Sequence, residues 1–245
     1  MMRNVLVTGG TRGIGLGICK QLSAEGWRVI AIGRDLGEPL AAAWQDAVSA
    51  SNGPIEFRAF DLAETAAIPA FVKKLRKEFG AVFGLVNNAG LGTSGVLANM
   101  KDEDILALVQ LNTIAPIVFT KYVVRSMMAD GGGRIVNLSS IISTTGFSGL
   151  SVYGATKAAM TGFTRSLSRE VGTFGITVNA IAPGFIDTEM TSNLSSQERE
   201  RVVRRAALKR LAEVDDIANG VAFLLSDKAK NITGTTLTVD AGSTA

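Results

Sequence analysis

The strongest constraint on this chain sits in its first fifteen residues. Val5-Leu-Val7 is a short β-branched run, the pattern of a strand buried on both faces of a parallel sheet. Thr8-Gly-Gly-Thr-Arg-Gly-Ile-Gly15 follows, and Ile14, Ile18 and Leu22 then recur at helical spacing. Strand, glycine turn and helix N-terminus, in that order, aim unpaired backbone amides at a common point. That is the geometry that holds a pyrophosphate. The glycines are spaced Gly-x-x-x-Gly-x-Gly, unlike the more common Gly-x-Gly-x-x-Gly, and an ordinary strand-to-helix turn would also fit them.

The rest of the chain continues the alternation. Apolar runs at 3–8, 28–32, 55–59, 82–87, 134–139, 176–181 and 236–239 read as strands. Helical spacing covers 14–25, 64–79, 101–129, 151–173, 196–206 and 214–225, and 36–50 reads as a further, interrupted helix. Gly131-Gly-Gly133 stops the long helix before the fifth strand. Proline is scarce and no linker divides the 245 residues, so 1–245 is expected to form one domain. The expected fold is α/β: a single-domain, Rossmann-like, doubly wound parallel sheet of about seven strands with helices on both faces.

Composition removes several kinds of chemistry. The chain has no histidine, which excludes Ser-His-Asp and Cys-His catalysis and any His-ligated metal site. Its one cysteine, Cys19, reads as a small buried hydrophobe, and no metal site is expected. A single cysteine forms no internal disulfide, and Met1-Met-Arg-Asn4 leads straight into the first strand without a signal-like apolar stretch, so a cytoplasmic protein is expected. No apolar run reads as a membrane span. The formal charge of +3 is unclustered until late in the chain and does not indicate nucleic acid.

The chemistry-bearing pattern is Ser151-Val-Tyr-Gly-Ala-Thr-Lys157, with Ser140 thirteen residues before Tyr153. On a helix Tyr153 and Lys157 share one face, and a neighbouring ammonium favours the phenolate. The phenol is therefore expected to have a lowered pKa and to exchange protons near neutral pH. Helices produce Tyr-x-x-x-Lys by chance, but this one shares a chain with a phosphate loop. Strand alternation sends Ser139 and Ser140 to opposite faces, and the spacing to Tyr153 selects Ser140.

Together these segments resemble the short-chain dehydrogenase/reductase family over essentially the whole chain. The resemblance rests on Thr8–Gly15, Asp61-Leu62, Asn87-Asn-Ala-Gly90, the set Asn112, Ser140, Tyr153 and Lys157, and Pro183-Gly-Phe-Ile-Asp-Thr188. It implies strand order 3-2-1-4-5-6-7 and hydride transfer between a nicotinamide and a carbonyl carbon. It implies that Tyr153 supplies the proton and Ser140 holds the carbonyl oxygen. Lys157 would lower the phenol pKa and bond the ribose, and the Asn112 backbone carbonyl would hold a water. The cofactor would lie on Gly9, Thr11, Arg12, Gly13, Ile14 and Gly15, then on Asp61 and Leu62. It would continue along Asn88, Ala89 and Gly90, and meet Tyr153 and Lys157. Pro183, Gly184, Ile186 and Thr188 would close on the nicotinamide. Relatives that prefer NAD carry an acidic residue at the position of Gly33. Here that position has no side chain, and Arg34 follows, with Arg12 as a second cation for a 2′-phosphate, so NADP(H) is expected.

Within that family, Val178–Met190 is most similar to the 3-oxoacyl-[acyl-carrier-protein] reductases. Segments 141–150 and 91–97, with a lid at 188–206, are the expected substrate lining, and 141–150 is apolar with hydroxyls and carries no charge. A 3-oxoacyl thioester suits such a lining. Reduction of a free ketone, sugar- or steroid-like, or oxidation of the corresponding alcohol, is the alternative, and a non-catalytic cofactor-binding regulator a further one. Arg199, Arg201, Arg204, Arg205, Lys209 and Arg210 make the lid basic enough to attract an acyl carrier protein, although intrahelical pairing with Glu198 and Glu200 would also account for them. The family's usual docking cations align with Gly131 and Phe174, where neither is basic, and Asp240-Ala-Gly departs from its usual Asp-Gly-Gly. Positive mean hydropathy and apolar residues on several faces of helices 101–129 and 151–173 point to helix pairing between subunits. A second interface through the last helix and strand, as in the family, makes a homotetramer.

Overall fold

The computed structural model describes residues 2–92, 95–186 and 196–245. Seven strands form one sheet: β1 (Asn4–Thr8), β2 (Arg28–Gly33), β3 (Ile55–Ala59), β4 (Val82–Asn87), β5 (Gly133–Leu138), β6 (Ile176–Pro183) and β7 (Thr236–Val239). Their order is β3-β2-β1-β4-β5-β6-β7, and every neighbouring pair is parallel. The expected topology is therefore observed. The order reverses at β1 and β4, which opens a crevice at their carboxyl ends.

Side-chain alternation builds a core on each face. Val5, Val7, Val29, Ala31 and Val136 turn to one side. There they meet α1 (Gly13–Ala24), α2 (Glu38–Ser49) and α8 (Val214–Leu225). Leu6, Ile30, Leu85, Ile135 and Val178 turn to the other, against α3 (Ile68–Phe79), α5 (Ala115–Asp130) and α6 (Ser151–Val171). α2 is continuous, because Pro39 falls in its first turn, where a missing N–H breaks no helical bond. A Cβ on Gly17 would collide with Val214 Cγ1, so glycine lets α1 and α8 pack closely. α7 (Ser196–Arg205) completes the set of helices described.

The expected single helix at 101–129 is interrupted. α4 (Asp102–Val109) and α5 are joined by one π-turn, Gln110–Ile114. Contrary to expectation, Asp102–Asp130 is long and apolar enough, by length and composition, to cross a membrane. Phe119, Val123 and Met127 nevertheless bury that apolar surface on the sheet. The apolar faces expected to be spare are only partly covered. Phe119, Val123, Val124, Met160, Leu167 and Val171 are buried within the chain, Ile117, Val118 and Phe163 are half-buried, and Ile114 is 41% exposed.

A buried polar chain crosses the second core. Asn87 Nδ2 donates to Thr120 Oγ1 and to Asn137 Oδ1, both at 2.8 Å. Asn137 Nδ2 donates to Thr164 Oγ1 at 2.8 Å, and that hydroxyl donates to the Met160 carbonyl. The chain joins β4 and β5 to α5 and α6, the two helices that carry the site.

Candidate active site

The crevice is assembled by hydrogen bonds between strand ends. Thr8 Oγ1 accepts the amides of Asn88 and Ala89 at 3.0 and 3.1 Å and donates to the Val86 carbonyl. Asn88 Nδ2 donates back to the carbonyls of Thr8 and Gly9. Sequence reasoning placed both Asn88 and Thr8 at this crevice but gave Thr8 no partners, since its position before the glycines does not show them. Gly9 takes φ +64°, and a Cβ there would lie 2.9 Å from Ala89 Cα. A Cβ on Gly15 would overlap the Gly9 carbonyl. These contacts hold the glycine turn against the end of β4 at the start of α1, whose N-terminus has no side-chain cap and no acidic residue in its first turn. Its amides and dipole suit a diphosphate. The residues present therefore fit a dinucleotide.

A cavity of about 290 Å³ opens beside the same loop, lined by Thr11, Arg12, Arg34, Asp35, Gly37 and Pro39. Two guanidiniums thus face it against one carboxylate. Asp61 Oδ1 accepts the Ala63 amide at 2.9 Å. Leu62 packs into the core, which leaves its backbone rather than its side chain for any adenine contact.

At the other end, Asn112 is buried in the π-turn. Its Oδ1 accepts the Leu91 amide at 2.7 Å, and its Nδ2 donates to the Leu91 carbonyl and to Thr156 Oγ1. It thereby fixes the chain after Gly90, where a Cβ would lie 3.2 Å from Asn112 Oδ1 and 3.6 Å from Lys157 Nζ. Pro183 ends β6, and the Gly184 amide donates to Val239 O at 3.0 Å. Ile186 is buried and bridges to Ala212. Thr188 lies outside the described residues, as do the start of the expected lid and the middle of 91–97.

Ser140 and Tyr153 meet as expected. Ser139 Oγ is used on the Lys157 carbonyl and Thr161 Oγ1, both at 3.0 Å, which leaves Ser140 on the Tyr153 side. Ser140 lies close enough to the Tyr153 phenol to favour its ionised form. The expected lowering of the phenol pKa is not found. Burial pushes it above its ordinary value, and Ser140 opposes that only in part. Lys157 Nζ lies 5.7 Å from the Tyr153 ring centroid, and it donates to the Leu138 carbonyl at 2.9 Å. Burial lowers the lysine itself from 10.5 to about 8. Helical spacing gave the proximity, but desolvation outweighs it for both groups.

Backbone amides that suit a diphosphate, on the same crevice as a half-buried phenol beside a serine and a lysine, serve one broad kind of chemistry, in which a hydride and a proton move together. The chain is an NAD(P)-dependent oxidoreductase. It belongs to the short-chain dehydrogenase/reductase family. A family model described as Enoyl-(Acyl carrier protein) reductase matches residues 9–244. Over 237 residues the chain is 42% identical to 3-oxoacyl-[acyl-carrier-protein] reductase FabG of Escherichia coli K12, covering 97% of this chain and 95% of that one. The enzyme of that name from Staphylococcus aureus Mu50 is 37% identical over 242 residues, 99% of this chain and 98% of that one. Among solved structures, a gluconate 5-dehydrogenase from Burkholderia cenocepacia J2315 in complex with NADP and tartrate aligns with TM-score 0.93. Its identity is 30%, over 99% of this chain and 95% of that one.

Proposed function

We propose that this chain reduces the ketone of a 3-oxoacyl thioester to the secondary alcohol, using NADPH, and that the acyl group arrives on a carrier protein in the cytoplasm. The reading is carried by Ser140 and Tyr153 lying together beside buried Lys157. NADPH, when bound, supplies the hydride to the carbonyl carbon. Ser140 holds the carbonyl oxygen, and the Tyr153 hydroxyl gives its proton to the oxygen as negative charge develops there. The raised phenol pKa suits this direction, since the group stays protonated at neutral pH until an alkoxide draws on it. Lys157, protonated at neutral pH, stabilises the phenolate left behind. Asn112 holds Leu91 and the chain after Gly90 beside Lys157, where they would line a bound nicotinamide. Arg12 and Arg34 support NADPH, because a 2′-phosphate would find two guanidiniums in one cavity.

The mouth supports an acyl substrate. Phe147 and Phe185 stand 5.6 Å apart, tilted, and Leu91, Val96 and Leu97 are exposed in the neighbouring segment. Reduction of a free ketone is the second reading. Gly131 and Phe174 supply no docking cation, and one structural neighbour is a gluconate 5-dehydrogenase. Rates of NADPH oxidation with carrier-linked, CoA-linked and free ketones decide between the two. The thioesters are expected to turn over faster, and a preference for a free sugar-like ketone would overturn the proposal. Exposed Leu106 and Ile114 near the π-turn and Phe223 on α8 support assembly into a homotetramer. Light scattering is expected to give four chains, and a monomer mass would refute it.

A further inference from the structure

Gly131 and Phe174, where the family's docking cations align, lie just before β5 and β6. Gly131 caps α5 at φ +83°, a conformation that strains any side chain, and Phe174 is an exposed ring. Both are at the amino ends of their strands, whereas Ser140 follows the carboxyl end of β5. Positive charge is concentrated elsewhere. Residues 196–210 hold six cations and two carboxylates, a local excess larger than the +3 of the whole chain.

On α7, Arg201, Arg204 and Arg205 are exposed and share one stripe, at i, i+3 and i+4. None of the three has an ion-pair partner among the described residues. Val202 and Val203 are half-buried and Ala206 is fully buried, so the arginine stripe faces away from the packed side. Leu208 follows, 61% exposed, with Lys209 and Arg210 after it.

The backbone under this patch is fixed. Leu208 N donates to Ala241 O at 3.1 Å and Ala207 N to Gly242 O at 3.4 Å, while Lys209 Nζ donates to the Arg204 carbonyl. Asp240 holds the turn that carries those acceptors, through the amides of Gly242 and Thr244. That turn packs on Gly184 at the carboxyl end of β6, so closely that a Cβ there would lie 2.7 Å from Asp240 Cβ. The patch is therefore anchored at the active-site end of the sheet.

We propose that the arginine stripe of α7, with Leu208 beside it, is the docking surface for an acidic acyl-carrier domain and replaces the cations lacking at Gly131 and Phe174. The proposal rests on the thioester reading above. Cations around one exposed apolar side chain match a small acidic partner with an apolar spot, and charge at such a rim sets encounter and affinity rather than chemistry.

The test compares one 3-oxoacyl group on acyl carrier protein and on N-acetylcysteamine, an uncharged thioester. In Arg201→Glu/Arg204→Glu/Arg205→Glu, kcat/KM for the carrier-linked substrate is expected to fall about tenfold or more, chiefly through KM. The N-acetylcysteamine thioester is expected to lose far less than the carrier-linked substrate, and its remaining turnover also reports that the variant is folded. Leu208→Asp is expected to act in the same direction. Added salt is expected to raise the carrier KM of wild type and to leave that of the triple variant nearly unchanged. Unchanged carrier turnover, or equal loss on both substrates, overturns the docking surface and leaves the thioester reading standing. A wild type that reduces neither thioester overturns both.

Discussion

Lys157→Met separates what the buried ammonium costs the fold from what it contributes to the reaction. The ammonium is almost fully enclosed, and burial moves its pKa from 10.5 to about 8. At about 1.4 kcal/mol per unit, holding the charged form inside costs the native state about 3 kcal/mol. Methionine removes that cost and fills a similar volume. It also leaves the Leu138 carbonyl without its Nζ donor, a loss of about 1 kcal/mol. The expected net gain at pH 7 is about 2 kcal/mol. The sign depends on pH. The folded pKa lies below the unfolded one, so between about 8 and 10.5 the unfolded chain binds the extra proton and wild type gains stability as pH rises. Below pH 8 the penalty is present in full. The advantage of methionine should therefore be greatest at neutral pH, shrink through that window and reverse above it. Urea unfolding without dinucleotide, at pH 7 and again above pH 10, measures both ends. A variant no more stable than wild type at pH 7, or a difference that ignores pH, would refute the reasoning. The same variant is expected to lose ketone reduction.

Tyr153→Phe should lower kcat by about 10²–10⁴ while NADPH affinity, followed by nucleotide fluorescence, stays near wild type; near-normal turnover would remove Tyr153 from the reaction. Arg34→Ala should cut kcat/KM with NADPH about tenfold and hardly alter it with NADH, and a wild type that prefers NADH would contradict the role given to Arg34. Asn137→Leu strips partners from Asn87 Nδ2 and Thr164 Oγ1 and should cost about 2–4 kcal/mol in urea unfolding; a cost under 1 kcal/mol would mean that the buried chain is not coupled as its distances imply.

The strands were legible because parallel strands buried on both faces are continuous apolar runs, and β1 to β7 follow those runs within a residue or two. Alternation put Ser139 and Ser140 on opposite sides, and the partners of Ser139 show that separation. The π-turn was not legible. Helical hydrophobicity runs through 102–130, and the local widening accompanies a tertiary contact, Asn112 gripping Leu91 and Thr156. Burial was the other blind spot. A four-residue spacing places a lysine beside a tyrosine, but it does not say how far both are from water, and that distance sets the pKa of each. The role of Thr8 escaped for a related reason, since its three hydrogen bonds reach residues far along the chain.

The π-turn has a consequence for how this chain can change length. Such a turn is geometrically an α-helix with one residue too many, and the helices on either side keep the phase they would have without it. A single deletion within 110–114 would let α4 and α5 fuse into one regular helix, with Phe119 and Val123 still on the sheet. The loss would fall on Asn112, whose grip on Leu91 depends on the bulge. A helix core elsewhere in the chain tolerates no such loss, because one missing residue turns every later side chain by about 100°. At this one place, then, a lineage could shed a residue, keep its fold and surrender its site in the same step.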